Sequence, residues 1–176
     1  SSPGDLQPVF ATMLEKAARI CEANFGNIHR WDGDALHLMA THSTPSAFAE
    51  YRGRSPWHPK PRNAVGRTIA TKTVVHVADL AAEEAYTERR DPAFVAAVEL
   101  GGVRTLLVVP MLKESELIGA FAIAFADRRG SSRISPMRIL AGSTALAARL
   151  DPEDLRDLIT AYNRAVAEVV TRFDGF

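Results

Sequence analysis

The chain of 176 residues holds one cysteine, Cys21. A lone cysteine forms no internal disulfide and cannot by itself build a thiolate metal site, so a reducing, cytoplasmic setting is expected. Apolar runs are short: none approaches the roughly 18 residues that span a bilayer, which excludes membrane insertion through a helix. The opening Ser-Ser-Pro-Gly-Asp also lacks the charged-then-apolar order of a signal peptide. Neither sign of charge is in excess, with 21 Lys plus Arg against 21 Asp plus Glu, so no global field draws the protein to nucleic acid or to an anionic surface. Local basic groups such as Arg52/Arg54 and Arg128-Arg129 read as solvated faces. Phosphate-binding Gly-x-x-x-x-Gly-Lys, zinc-protease His-Glu-x-x-His and hydrolase Gly-x-Ser-x-Gly patterns do not occur, and no catalytic or metal-ligating set is expected.

What is present is ordinary globular usage, 47% hydrophobic and 24% charged, in a length suited to one domain with an appendage. From Val9 to Asn24, Phe10, Met13, Leu14, Ala17, Ala18, Ile20 and Cys21 recur at three- and four-residue steps, which predicts an amphipathic helix. Ile28–Trp31 and Leu36–Thr41 flank the turn-forming Asp32-Gly33-Asp34 and predict a β-hairpin. Four prolines and a short helical stretch around Ala47–Tyr51 occupy Ser43–Arg62, a loop of a length that is uncommon unless it covers something. A short helix at Val65–Thr71 and a short strand at Val74–Val77 follow. Asp91 caps a further helix that begins at Pro92 and stops at Gly101-Gly102.

The strongest β signals are Arg104–Met111 and Leu117–Ala126, nearly continuous in apolar residues around the polar turn Lys113–Glu116; they predict central strands buried on both faces. Ser135-Pro136 opens a helix to about Leu150, and Asp151-Pro152-Glu153-Asp154 starts another to about Phe173. On that last helix Leu155, Ile159, Tyr162, Val166, Val169 and Phe173 form a seam at alternating steps of four and three, suited either to packing on its own domain or to a homodimer. The element order is that of an α+β domain.

Ala64–Leu80 (Ala-Val-Gly-Arg-Thr-Ile-Ala-Thr-Lys-Thr-Val-Val-His-Val-Ala-Asp-Leu) and Gly102–Phe125, with Val-Arg-Thr-Leu-Leu-Val-Val-Pro-Met before the turn and Leu-Ile-Gly-Ala-Phe-Ala-Ile-Ala-Phe after it, resemble the GAF family over about residues 9–127. The resemblance implies a PAS-related fold: a central antiparallel sheet, terminal helices on one face and a loop-covered ligand pocket on the other. It further implies that Gly66 and Gly119 stand where bulk would obstruct the chain, that Pro110 ends a strand and that Arg104 begins one.

Gly142–Phe176, with Gly-Ser-Thr-Ala-Leu-Ala-Ala-Arg-Leu-Asp-Pro-Glu-Asp-Leu, resembles the opening of a class III nucleotide cyclase domain. That family carries metal-binding aspartates before the Gly-Ser-Thr and after the following helix. Met137–Ala141 supplies none and the chain stops at Phe176, so no cyclase activity is expected. The segment is either a truncated piece of a longer signalling protein or an altered gene. The expected division is a sensory domain at 1–150 and a C-terminal helix at 151–176.

The resemblance implies a regulatory domain that binds a small organic ligand and relays its state, through terminal helices and a homodimer, to an output domain such as a cyclase or histidine kinase. The alternative is a ligand-free dimerisation module. Residues expected to line the pocket are Phe48, Tyr51, Trp57, His58, Thr68, His76, Tyr86, Phe94 and Val98, aromatic walls with a few polar tips, although a filled core fits the same residues. Three known cofactors of such domains are disfavoured. Cys21 precedes Glu22 rather than the histidine that accompanies bilin attachment, His76 has no evident partner for haem, and 127–138 departs from the cyclic-nucleotide-binding pattern. Methionine sulfoxide reduction, which a minority of the family performs, needs paired cysteines.

Overall fold

Alternation of side chains along β1 (Phe25–Trp31) and β2 (Leu36–His42) makes each strand two-sided, and the turn between them is fixed by its own aspartate. One Asp32 carboxylate oxygen accepts from the amides of Asp34 and Ala35 at 2.9 and 2.8 Å, and Gly33 takes the left-handed φ of +101° that the reversal needs. The computed structural model describes residues 7–113 and 115–127. The helices expected at 135–150 and 151–173, the cyclase-like segment and the seam lie outside the described residues.

The hydrophobic runs at the C-terminal end of the described chain form β4 (Thr105–Lys113) and β5 (Glu116–Phe125), paired antiparallel from Thr105↔Phe125 to Lys113↔Glu116. With the short β3 (Val75–Val77) they complete a five-stranded antiparallel sheet in the order β2-β1-β5-β4-β3. The expected α+β fold is therefore what the chain adopts. Pro110, expected to end a strand, lies inside β4 instead. β3 stops pairing with β4 at Val108, and among the described residues no strand pairs with that edge of β4 beyond it, so a residue without an N–H forfeits no ladder bond there. Arg104 stands one residue before β4 and grips Asp79 with two bonds, of 2.9 and 2.8 Å.

Two residues must be glycine for this sheet and its cover to close. A Cβ on Gly119 would sit 2.3 Å from the His29 carbonyl oxygen, and one on Gly66 would sit 2.0 Å from that of Lys60. Both obstacles are backbone, so no rotamer change relieves them.

Helix α1 (Gln7–Cys21) covers one face of the sheet. Phe10 and Leu14, four residues apart on one helical side, pack with Ile28, Ala40 and Met111. Burial of a side chain such as Leu14, which is fully enclosed, contributes about 2–3 kcal/mol. The opposite face is covered by the chain between β2 and β4: α2 (Ser46–Gly53), α3 (Ala64–Thr71), a 3₁₀ turn at Leu80–Ala82, α4 (Glu84–Thr87), and α5 (Pro92–Val95), which runs on as a π-helical turn at Ala96–Leu100. As expected, Asp91 caps α5, its carboxylate accepting from the Ala93 amide at 2.9 Å, with Pro92 at the first helical position. The acidic, alanine-rich segment after Asp79, for which no element was expected, supplies the 3₁₀ turn and α4. Among the described residues no helix is long and apolar enough to cross a membrane.

Candidate functional site

On the covered face, β1 and β5 present facing residues of unequal size. Phe25, Asn27 and His29 of β1 lie opposite Ala124, Ala122 and Ala120 of β5. Small side chains on one strand beside polar ones on the next leave room under the covering helices, and a cavity of about 50 Å³ occupies it. The sheet contributes Phe25, Asn27, His29, Leu106, Ala122 and Ala124, and the cover contributes Phe48, Arg52, Trp57, the start of α3 and part of α5.

Arg52 reaches the cavity because it follows Phe48 by four residues and so shares the inward side of α2. Its guanidinium stands over the Trp57 ring, 3.9 Å from the centroid, with the Phe48 and Tyr51 rings at 5.2 and 5.6 Å. Trp57 is held in place by a pair of backbone hydrogen bonds with Leu36, of 2.8 and 2.9 Å, which bridge the loop to the start of β2. Its other neighbour is His29, edge-on with ring centroids 6.2 Å apart. Cation, indole and imidazole thus form one cluster.

The electrostatics of this cluster are unbalanced. Arg52 is buried, and burial lowers its pKa to about 10, which leaves it charged at neutral pH. The carboxylate that acts on it, Asp91, is occupied by Lys60 at 3.1 Å and by the cap of α5. The acceptor that Arg52 does meet is the Ala93 carbonyl, at a long 3.4 Å from one terminal nitrogen. No residue lining the cavity is acidic. Burial first, and then the Arg52 charge, push His29 down to about 3, so its ring is neutral. The His29 Nε2 and the Asn63 Nδ2 are buried without a partner, whereas the Asn63 oxygen caps α3 through the Gly66 amide at 2.7 Å.

Of the nine residues expected to line a pocket, Phe48, Trp57 and Phe94 do so. The other six do not, each for a local reason. Tyr51 packs half-buried behind the Arg52 guanidinium. His58 is exposed, its Nε2 3.0 Å from Asp34. Thr68 is fully buried but donates to the Ala64 carbonyl of its own helix at 3.1 Å. His76 lies on β3 opposite Leu107, away from the cavity, with its Nε2 buried and unpartnered. The Tyr86 hydroxyl points to Glu99 at 3.3 Å while its ring carries Arg90 at 4.8 Å. Val98 packs on the core from the π-helical turn.

The polar members Asn27, His29, Arg52 and Asn63 are not among the residues expected from the sequence to line the pocket. Arg52, taken there with Arg54 as a solvated face, is the clearest correction: Arg54 is exposed and paired with Glu50 at 2.8 Å, but Arg52 is turned inward by the helix. A signal was available in period two, since Phe25, Asn27, His29 and Trp31 share one face of β1. The Cys21 side chain, on which the bilin argument rests, lies outside the described residues. Among the described residues no group of three His, Cys, Asp or Glu side chains could hold a metal ion.

An antiparallel sheet sealed by a terminal helix on one face and holding a covered cavity on the other defines a class of small α+β domains. The GAF domain family model matches residues 5–147, and the chain belongs to that family. Solved structures of the same fold include a GAF domain/HD domain protein from Geobacter sulfurreducens, 14% identical over 100% of both chains with a TM-score of 0.61. A domain of a two-component sensor histidine kinase protein from Sinorhizobium meliloti is 18% identical over 94% of this chain and 95% of that one, with a TM-score of 0.58. Residues 122 to 287 of a methyl-accepting chemotaxis protein are 18% identical over 94% of this chain and 89% of that one, with a TM-score of 0.56. No curated protein matches the chain.

Proposed function

We propose that the chain is the small-molecule-sensing domain of a signal transduction protein. The observation that carries this reading is the cavity between the alanine floor of β5 and the α2–α5 cover, because a domain whose sole task was dimerisation has no use for internal space next to a buried cation. Ligand in the cavity favours one arrangement of the short covering helices, and the bias passes through the sheet to α1 on its far side. The output is a separate domain, a cyclase or a histidine kinase, reached through the segment at 151–176 and a homodimer of terminal helices. The sensing domain itself performs no catalysis.

Native mass spectrometry of the purified protein, with thermal melts against a panel of small metabolites, tests the reading. A stoichiometric copurified molecule, or a compound that raises the melting temperature in proportion to the logarithm of its concentration, is expected. A ligand-free dimer indifferent to every compound supports the scaffold alternative.

A further inference from the structure

Taking the sensing reading as its premise, the cavity's chemistry narrows the class of ligand. Arg52 brings a positive charge into a place where every nearby group is neutral or already engaged. A buried charge whose attracting carboxylate, Asp91, is shared with Lys60 and with a helix cap is weakly compensated, and an anion in the cavity would complete the pairing. The two orphaned polar atoms around it point the same way. An amide Nδ2 is a donor only, and a neutral imidazole can present Nε2–H as a donor, so the cavity offers hydrogens and asks for an acceptor. Space sets the upper limit. One water needs roughly 10–15 Å³ on this measure and benzene fills an engineered cavity of about 150 Å³, so about 50 Å³ admits a group of only a few heavy atoms.

We propose that the cavity binds a small planar oxyanion, a carboxylate or an inorganic ion of the same trigonal shape, on the Arg52 guanidinium, with the Asn63 amide and the His29 ring as further donors. The flat, forked guanidinium matches a flat anion through parallel N–H···O bonds, a fit that a lysine ammonium would not give. The stack of Arg52 on Trp57 holds the fork in one orientation before the anion arrives, so little ordering cost remains at binding. Apolar neighbours Phe25, Phe48, Phe94 and Ala122 exclude water and strengthen the charge pairing.

The test is titration of the purified chain with acetate, formate and nitrate at constant ionic strength, with chloride as the balancing salt and acetamide as the uncharged counterpart of acetate. Tryptophan fluorescence and melting temperature are the readouts. Saturable change with acetate or formate identifies a carboxylate as the ligand; saturable change with nitrate alone identifies an inorganic anion. Arg52→Gln and Asn63→Asp are each expected to weaken the response at least tenfold. The second keeps an oxygen to cap α3, so its fold is preserved while the donor becomes a negative charge. Planar anions with no more effect than chloride would overturn the proposal, as would an Asn63→Asp variant that binds within threefold of the parent. If acetamide or another neutral compound binds where the anions do not, the anion inference fails and the sensing reading stands. If nothing binds and nothing copurifies, both fail.

Discussion

The guanidinium of Arg52 stands 3.9 Å over the ring centroid of Trp57, a stack that joins the helix α2 to the loop before α3 and places a charge above the sheet. A desolvated cation–π contact of this kind contributes about 2 kcal/mol. Trp57 also packs half-buried against the main core. Trp57→Leu should therefore lower stability by about 2–3 kcal/mol in urea melts and weaken any ligand response with it, since Arg52 loses the surface that orients it. A variant as stable as the parent would show that the stack is incidental.

Ala122 lies opposite Asn27 on the floor of the cavity. Ala122→Val adds two methyl groups to empty space, so the fold should be preserved to within about 1 kcal/mol while ligand-induced stabilisation disappears. Thermal melts with and without ligand read both effects. Unchanged ligand stabilisation would place the binding site elsewhere.

Gly119 approaches the backbone of His29 too closely for any Cβ. Gly119→Ala forces β1 and β5 apart at the end of their pairing, opposite Arg30, and should cost at least about 2 kcal/mol. Gly33→Ala is the control: its φ of +101° is strained for alanine but nothing lies within 4 Å, so the loss should be nearer 1 kcal/mol. Chemical denaturation of the two variants, compared side by side, checks the order.

His29 is held neutral by burial, with its pKa moved from 6.5 down to about 3. In the unfolded chain the ring takes up a proton near pH 6.5, so between there and about pH 3 the unfolded state binds more protons than the folded one. Stability should be flat above pH 7 and fall as pH drops through that window, by roughly 3–5 kcal/mol over its full width. His76, lowered in the same direction by burial, adds to the slope, and Asp32, whose carboxylate is stabilised by the Ala35 amide and His37, steepens the loss at the acid end. Urea midpoints of the parent and of His29→Gln between pH 4.5 and 7.5 test the assignment: the variant should show a shallower dependence, and equal slopes would remove His29 as the cause.

Much of the architecture was legible from local pattern alone. The two apolar runs flanking Lys113–Glu116 could only pair with each other across so short a turn, and Asp91-Pro92 carries a helix start in two residues. The position of Pro110 was not legible, because whether a proline ends a strand depends on which neighbour lies beside it. Here the neighbour is β3, which stops pairing two residues earlier. Aromatic residues in the covering segment signalled a wall, yet three of the nine expected residues reach the cavity, since a side chain one position along a strand, or two along a helix, faces another way.

By itself the sequence determined the α+β fold, the order of the five strands along the chain, and the need for glycine at Gly66 and Gly119, because these follow from hydrophobic period, turns and a family resemblance carried by contiguous residues. Only the tertiary structure decided the chemistry of the cavity. Asn27, His29, Arg52 and Asn63 are separated along the chain, and each is unremarked where it stands. The sheet register that sets β1 against the alanines of β5, and the helical phase that turns Arg52 inward, bring the unpartnered polar atoms of His29 and Asn63 and the Arg52 charge into one small space.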